Sequence, residues 1–198
     1  SDVYKRQAID GNYAIVGAIQ DDDKGYDSGS AYIFNVTTGT QLHKLIDSNG
    51  GQNYRFGGSV AISGNYAIVG SWNDVDDSAF IFDVTTGTQL HKLIHSDAGG
   101  TNFRFGYRVA ISGNYAIIGA DLGYNNNVKT GVAYIFDVTT GKEIKKLYAT
   151  DGAVNDRFGG SVAISSNYAI VGAYSDDDNG SNSGCLLYTS PSPRDTMS

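Results

Sequence analysis

Short apolar runs recur along the chain, and Gly, Asn and Asp residues separate them. The runs are rich in Val, Ile, Tyr and Phe, residues that fit the pleated surface of a β-sheet. In one stretch they cover about residues 56–63, 65–71, 78–84 and 88–94. Runs of this length, bounded so closely by turn residues, predict strands and leave no room for a helix.

The turn residues predict how the strands are connected. Gly64-Asn65 and Gly113-Asn114 separate the first two runs and are typical of a two-residue hairpin, with Ser166-Asn167 as a variant. Thr85-Thr86-Gly87 joins the last two runs, and its Gly can adopt the positive φ of a bulged turn. Each group of four runs is therefore predicted to form a four-stranded antiparallel meander.

The meander is repeated along the chain. The segment NYAIVGA at 12–18 recurs with little change at 65–71, 114–120 and 167–173, a period of about 50 residues. The copies cover about 8–54, 55–103, 104–156 and, truncated, 157–184.

Apolar side chains point to both faces of each predicted sheet. In the first copy Tyr13 and Ile15 point one way, whereas Ala14 and Val16 point the other. Both faces must therefore be covered, which sheets stacked face to face around an axis achieve. The sequence predicts an all-β fold of β-propeller blades, in an incomplete open arc of roughly three to four blades.

Two short motifs in the copies resemble those of a known family. Gly-Ala or Gly-Ser pairs end the second predicted strand, and Phe-Gly pairs precede the first strand of the later copies. The Phe-Gly pairs are Phe56 and Gly57, Phe105 and Gly106, and Phe158 and Gly159. We expect the glycine of each pair to allow close backbone approach near the central axis. Together the motifs resemble the FG-GAP repeat of the integrin α-subunit propeller and of many bacterial surface proteins, although no proline follows the Gly-Ala pairs. The resemblance implies an extracellular or cell-surface protein that serves adhesion.

Both ends of the chain look foreign to this repeat. Part of 1–7 and part of 185–198 back-translate to one DNA element in inverted orientation, which resembles an adapter used in sequencing libraries. We therefore expect 1–7 and 185–198 to be adapter-derived. The segment 8–184 would then be an internal fragment of a longer protein, with any signal peptide outside it.

Charge and composition narrow the classes of partner. The chain has 14 Lys and Arg against 21 Asp and Glu, a net charge of −7, which argues against nucleic acid and anionic membrane surfaces. No apolar run is long enough to span a bilayer, so membrane insertion of this segment is not expected. The single Cys excludes a disulfide framework within the chain.

The loops predict which face of the blades recognises a ligand. The turns between strands 1 and 2 and between strands 3 and 4 are nearly invariant, whereas the 2–3 and 4–1 loops vary between copies. Six aromatic residues fall on this variable loop face: Tyr26, Tyr54, Trp72, Phe103, Tyr124 and Tyr174. Among Asn, Asp and Gly they suit a protein or glycan ligand. The alternative is that they roof the ends of the blades.

Acidic residues in two of these loops raise the question of a metal. Asp21, Asp23 and Asp27 alternate in the first copy, and Asp176, Asp178 and Asn182 repeat the spacing in the fourth. Alternate carboxylates in a glycine-bearing loop can converge on Ca²⁺, and a solvated acidic loop is the alternative. The integrin-type calcium site itself is not carried over, because the strands that flank it there meet here in two-residue turns. No other cofactor is predicted.

Two further residue types recur at fixed repeat positions. Arg55, Arg104 and Arg157 precede the Phe-Gly pairs, and we predict a scaffold role, such as pairing with Asp47, Asp97 or Asp151; ligand binding is the alternative. His43 and His91 share a position that holds Lys145 in the third copy, which favours surface residues over ligands.

The predicted function is that of a non-catalytic propeller segment that binds a ligand or serves adhesion on its variable loop face. No nucleophile–base signature points to an enzyme. An enzymatic alternative comes from the DVTTG turn, which is similar to the turn of quinone-dependent dehydrogenase propellers, although the Trp typical of those blades is missing. An intracellular interaction scaffold is a further alternative. The expected partners are the ligand and the remaining blades of the same chain.

Overall fold

The computed structural model describes residues 6–73, 77–97, 103–166, 168–178, 180 and 183–189. These residues form strands joined by turns and loops, and no helix occurs among them. The strands are β1 Gln7–Asp10, β2 Tyr13–Ala18, β3 Ser30–Asn35, β4 Gln41–Leu45, β5 Ser59–Ser63, β6 Tyr66–Ser71, β7 Ser78–Asp83, β8 Gln89–Leu93, β9 Arg108–Ser112, β10 Tyr115–Ala120, β11 Val132–Asp137, β12 Glu143–Leu147, β13 Phe158–Ser165, β14 Tyr168–Ala173 and β15 Cys185–Thr189.

The strands form four separate antiparallel meanders, which confirms the predicted fold class. Three sheets have four strands in sequence order, β1 to β4, β5 to β8 and β9 to β12, and the fourth has β13 to β15. The sheets are not closed into a ring. The first strands of neighbouring sheets contact each other, β1 with β5, β5 with β9 and β9 with β13, so they line the inner edge of an arc of blades.

The turn chemistry agrees with the sequence. Gly64 and Gly113 open their two-residue turns at φ of 55°, and Ser166 adopts 45° at the same position of the fourth sheet. Gly87 has the positive φ of 71° predicted for the bulged turn between strands 3 and 4. In that turn the Asp83 carboxylate accepts hydrogen bonds from the Thr85 and Thr86 N–H groups at 2.8 and 3.0 Å. The hydrogen bond from the Thr85 hydroxyl, together with these two N–H bonds, lowers the pKa of Asp83.

Each Phe-Gly pair forms the joint between two blades. Phe56, Phe105 and Phe158 are 1%, 0% and 1% exposed, and each belongs to the apolar cluster between its own sheet and the preceding one. Burying one such side chain contributes about 1.5–3 kcal/mol. Both faces of the second and third sheets are therefore covered, as the alternation predicted.

The glycine of each pair is required by the backbone. Gly57, Gly106 and Gly159 have φ of 86°, 90° and 88°, close to the third residue of a type II turn. The turn is closed by a hydrogen bond from the N–H two residues past the Phe to the carbonyl of the preceding Arg, at 3.2, 3.0 and 3.0 Å in the three copies. A β-carbon on Gly57 would also lie 2.3 Å from the Ser30 carbonyl oxygen. The predicted close backbone approach at this glycine is confirmed.

Polar contacts add a second link between blades. The Gly64 N–H donates to Asp10 Oδ2 at 2.6 Å, the Gly113 N–H to Ser63 Oγ at 3.1 Å, and the Ser166 N–H to Ser112 Oγ at 3.2 Å. Each bond joins the end of one first strand to the turn of the next sheet. The same inter-blade contact is thus built three times.

Parts of the stretches predicted to be adapter-derived lie in strands. Gln7 pairs with Val16, and Cys185 pairs with Ala173. The origin of 1–7 and 185–198, and the bounds of the native segment, stay predictions. No helix among the described residues is long and apolar enough to cross a membrane.

Candidate functional site

The candidate site lies where the first strand of each blade begins and the second strand ends. These two points are on the same face of the blades as the variable 2–3 and 4–1 loops. Because the first strands line the inner edge of the arc, side chains from successive blades meet there. We call this group the inner rim: Arg55, Trp72, Arg104, Tyr107, Arg108, Asp121, Arg157 and Tyr174.

Backbone conformation positions three of the rim arginines. Arg55, Arg104 and Arg157 have φ of 56°, 55° and 64°, in the left-handed region that residues other than glycine rarely adopt. Each of them opens the type II turn of its Phe-Gly pair. Left-handed backbone at a non-glycine residue costs on the order of 1–3 kcal/mol and persists where the surrounding structure holds it.

Aromatic rings organise the guanidinium groups of the second and third blades. Trp72 lies between Arg55 and Arg104, whose guanidinium carbons are 4.8 and 5.2 Å from the ring centroid. Tyr107 contacts Arg104 at 5.0 Å and Arg108 at 4.0 Å, and its ring meets Trp72 edge-on at 5.7 Å. Stacking fixes the planes of the guanidinium groups and leaves their in-plane N–H donors available.

A buried carboxylate joins the third and fourth blades. Asp121 is 1% exposed, and its Oδ2 lies 3.4 Å from Arg104 Nη1 and 3.7 Å from Arg157 Nη1. The Tyr174 hydroxyl donates to the same oxygen at 3.4 Å. Burial and the nearby Asp121 carboxylate raise the pKa of Tyr174. Asp121 Oδ1 has no hydrogen-bond partner among the described residues.

A small pocket opens beside these groups. It has a volume of about 170 Å³ and is lined by Arg55, Arg108, Trp72 and Tyr107, with Arg6 from the first blade. Arg108 donates from Nη1 to the Tyr107 carbonyl at 2.9 Å, and its Nε is buried without a partner among the described residues. Within that part of the chain, Arg55 and Arg108 have no carboxylate within ion-pair distance.

The six aromatic residues predicted for the loop face have different surroundings in the structure. Trp72 and Tyr174 belong to the inner rim, while Tyr26 and Tyr124 are 63% and 40% exposed in the loops further out. Tyr54 is partly buried, with its ring against Gly51. Phe103 is 5% exposed and packs on His95 and Tyr124. This residue therefore covers the end of its blade, as the alternative interpretation of the aromatic residues proposed.

The first acidic loop is built around a lysine. Asp21 Oδ2 accepts hydrogen bonds from the Tyr32 hydroxyl at 2.7 Å and the Ser30 hydroxyl at 2.9 Å, and lies 3.0 Å from Lys44 Nζ. Asp23 also pairs with Lys44. The Tyr32 hydroxyl bond, with Lys44 and Ser30, holds the pKa of Asp21 well below its usual range. An ammonium group therefore stands where a calcium ion would need these carboxylates.

The remaining described residues of the calcium prediction contact neighbours in their own loops. The Asp27 N–H donates to the neighbouring Asp22 carboxylate at 2.8 Å. Asp176 is buried and accepts from the Asp178 N–H at 3.2 Å, while its charge raises the pKa of Asp178. Asn182 lies outside the described residues. No group of three or more His, Cys, Asp or Glu side chains able to hold a metal ion occurs in the described part of the chain.

The structure corrects the predicted partners of the arginines. Arg104 and Arg157 pair with Asp121 rather than with Asp97 or Asp151, and Arg55 stacks on Trp72 rather than pairing with Asp47. Asp47 instead accepts the Asn49 N–H, and Asp97 accepts from Tyr134 and Lys146. Each arginine opens the turn at its Phe-Gly pair, so Arg55 and Arg104 reach the residue after the second strand of their own blade, whereas Arg157 reaches that of the preceding blade.

The histidines have a role that the sequence did not reveal. The Nε2 atoms of His43 and His91 lie 3.1 and 3.2 Å from the carbonyl oxygens of Thr85 and Thr139 in the following blade. Their rings rest against Gly87 and Gly141, where an added β-carbon would lie 2.7 Å away. These histidines are blade contacts as well as surface residues.

Sequence reasoning missed Tyr107, Arg108 and Asp121. One signal in the sequence could have identified them, because each stands at a position where the copies differ from one another. Tyr107 and Arg108 stand where the second copy has Gly58 and Ser59, and Asp121 stands at the position of Trp72.

The fold defines the chain as an arc of β-propeller blades, and comparison with known families agrees. The model of the FG-GAP repeat family matches residues 7–34, 40–82, 88–136 and 142–186. The chain therefore belongs to the FG-GAP repeat family.

Comparison with individual proteins adds only the fold. None of the curated proteins compared with the chain matches it. Among solved structures, the chain is similar to Kuenenia stuttgartiensis Hydrazine Synthase, with a TM-score of 0.60 and 13% identity over 93% of this chain and 45% of that chain. The chain thus spans less than half of the length of that enzyme chain.

Proposed function

We propose that this chain is a non-catalytic, ligand-binding segment of a propeller from a secreted or cell-surface protein. The inner rim, together with the variable loops around it, makes the contact. The extracellular location rests on the likeness to bacterial surface and integrin repeats, and a role in adhesion follows from the same likeness.

One observation carries the proposal: the copies differ from one another at the inner rim. The residue after the Gly-Ala or Gly-Ser pair is Ile19, Trp72, Asp121 or Tyr174 in successive copies. The Phe-Gly pairs that join the blades do not vary. Residues that hold a repeat together are repeated, whereas a position that varies from blade to blade is free to adapt to a ligand.

The chemistry of the rim favours binding over catalysis. Stacked guanidinium groups and aromatic rings offer hydrogen-bond donors and flat surfaces, which fix and orient a ligand. In the described part of the rim, no Ser, Thr or Cys side chain is hydrogen-bonded to a His that could act as its base.

Binding of the full chain to arrays of glycans and extracellular-matrix proteins tests the proposal. We expect bound spots whose signal falls strongly with Trp72→Ala or Tyr174→Ala. Tyr168→Ala is the matched control, because Tyr168 begins strand β14 at the opposite end from Tyr174 and is similarly exposed, 57% against 54%.

Two results would overturn the proposal. One is an absence of binding to every array by a folded chain. The other is binding that Tyr168→Ala abolishes while Trp72→Ala and Tyr174→Ala leave it intact, since the working surface would then be the opposite end of the blades.

A further inference from the structure

The inner rim has a charge opposite to that of the chain as a whole. The chain carries 14 Lys and Arg and a net charge of −7, yet Arg55, Arg104, Arg108 and Arg157 gather at this one place. The ion pairs of these guanidinium groups with described residues all go to the single carboxylate of Asp121. A local excess of positive charge in a partly enclosed site attracts and concentrates anions.

We propose that the pocket beside Trp72 binds the carboxylate of an acidic sugar, a uronic acid unit within a polysaccharide. The inference rests on the proposed ligand-binding function of the inner rim and adds the chemical class of the ligand.

The arginines that line the pocket are oriented to bind a carboxylate. Arg55 stacks on Trp72 at 4.8 Å, and its guanidinium edge stays free. Arg108 stacks on Tyr107 at 4.0 Å and already donates from Nη1 to the Tyr107 carbonyl, so it adds positive charge and its remaining N–H donors. A guanidinium edge matches a carboxylate with two parallel hydrogen bonds. Arg108 Nε is buried and has no partner among the described residues, so the donors that Arg108 can offer to a ligand are those of its Nη groups. Arg6 also lines the pocket, but it lies in the stretch predicted to be foreign, so the site is assigned to Arg55 and Arg108.

The size and surroundings of the pocket favour a sugar unit over a stretch of peptide. Its volume of about 170 Å³ is below the range of about 300–1,000 Å³ typical of sites for drug-sized ligands. Further along the rim, the Tyr174 ring lies against the backbone of Gly160, where an added β-carbon would be 2.5 Å from the ring. Tyr174 is nevertheless 54% exposed, so its other side is open to solvent. A flat, exposed aromatic ring elsewhere on the same rim suits a further ring of a sugar chain.

Calorimetric titration of the full chain with trigalacturonate tests the inference. Methyl-esterified trigalacturonate is the neutral match, and an N-acetylated tri-glutamate amide carries the same carboxylates on a peptide. We expect binding of trigalacturonate that weakens as salt is added, and an affinity at least about tenfold lower for the ester and the peptide.

Variants locate the binding. Arg55→Gln and Arg108→Gln each lower the affinity for trigalacturonate at least about tenfold, since each removes a charged, hydrogen-bonding partner. Arg55→Lys keeps the charge but loses the planar edge, and it also weakens binding. This conservative variant tests the role of the guanidinium group even if Arg55→Gln misfolds. Lys142→Gln, in an exposed turn on the opposite face of the blades, leaves the affinity unchanged.

The outcomes separate this inference from the proposed function. The acidic-sugar assignment is overturned by equal affinity for the ester or by tighter binding of the peptide. It is also overturned if neither arginine variant changes the affinity for trigalacturonate. If trigalacturonate does not bind while array ligands still depend on Trp72, the assignment fails and the proposed function stands. If the arrays show no dependence on Trp72 or Tyr174, the proposed function fails as well.

Discussion

Gly17 and Gly57 meet backbone to backbone across the joint between the first two blades, where a β-carbon on Gly17 would lie 2.0 Å from the Gly57 carbonyl oxygen. The same contact joins Gly70 to Gly106 at 2.0 Å and Gly119 to Gly159 at 2.1 Å. The two glycines of the family motif are therefore partners in space: the one that ends the second strand of a blade receives the Phe-Gly turn of the next.

Alanine at Gly70 should destabilise the chain. The methyl group would overlap the Gly106 carbonyl oxygen, which belongs to the backbone and has no rotamer that avoids it. We expect the free energy of unfolding in urea to fall by about 1–3 kcal/mol or more. Gly172→Ala is the matched control, because Gly172 holds the same repeat position and meets only the Ser161 hydroxyl, which can rotate away. Equal losses in the two variants would contradict the role of this contact.

Stability should fall between neutral and mildly acidic pH because of His95. Its ring packs against Phe103 and Phe105 at 4.7 and 5.4 Å, and burial lowers the pKa of His95 below 6.5. The unfolded chain then binds the proton more readily than the folded chain. The stability due to neutral His95 is present above about pH 6.5 and is lost as the pH falls through the lower folded pKa.

Urea unfolding at about pH 7.5 and about pH 5.5 gives the free energy of unfolding at both pH values and hence this slope. Both pH values lie above the ordinary pKa values of Asp and Glu. The slope is at most about 1.4 kcal/mol per pH unit for one group. His95→Phe should flatten it, since Phe fits an aromatic cluster and has no proton to bind. His91→Gln, which alters a blade contact, should leave it in place. An unchanged slope in His95→Phe would assign the pH dependence to other groups.

Asp21 should act as a structural partner of Lys44 and Tyr32. Asp21→Asn weakens hydrogen bonds at 2.7 Å to Tyr32 and at 2.9 Å to Ser30, and it removes the ion pair with Lys44. We expect a loss of about 1–2 kcal/mol, less than for a fully buried charge because the Asp21 side chain is 17% exposed. Asp23→Asn, at a side chain that is 46% exposed, is the control and should lose less.

Millimolar calcium should leave the melting temperature of the wild-type chain unchanged, because Lys44 already pairs with both Asp21 and Asp23. A melting temperature that rises with calcium, and that Asp21→Asn no longer shows, would instead support the calcium site expected from the sequence.

The chain should self-associate through its outermost sheets. On the first sheet Ile9 and Val16 are 66% and 37% exposed, and on the fourth sheet Leu186 is 63% exposed. Apolar sheet faces of this kind are covered inside the arc but not at its ends. Sedimentation velocity of the full chain should show a mass that increases with concentration, and Ile9→Lys should reduce it.

Leu90→Lys is the control for that experiment, since Leu90 is 40% exposed on the fourth strand of the second sheet, away from the end faces. A chain that stays monomeric at all concentrations, or that responds equally to Leu90→Lys, would contradict association through the end faces.

The fold could be predicted from the sequence because the sequence is repeated. Tyr13 and Ile15 alternating with Ala14 and Val16, and Gly-Asn turns at a period of about 50 residues, predicted strand order, turn type and stacked sheets together. The Phe-Gly pairs were predicted to allow close backbone approach, and the contact of Gly57 with Ser30 confirms it.

The site was less readable, because it is assembled from different blades. Arg104 pairs with Asp121 of its own blade across 17 residues of sequence, whereas Tyr174 of the next blade reaches the same carboxylate across 53. Such a pairing depends on how the Phe-Gly turn directs its arginine, and repeat spacing carries no signal for it. In the acidic loop, the spacing of Asp21 and Asp23 suggested a metal ion. In the structure both carboxylates pair with the ammonium group of Lys44, which lies on a strand outside the motif.

Hydrogen exchange of the full chain with and without trigalacturonate tests most directly whether the inner rim is the working surface. We expect slower exchange of backbone amides in 54–59, 72–73 and 104–109, the segments that bear Trp72 and the arginines nearest to it. Amides of the turns at Gly64-Asn65 and Gly113-Asn114, at the opposite end of the blades, should be unaffected. Protection confined to those turns, with none at the rim, would contradict ligand binding on this face.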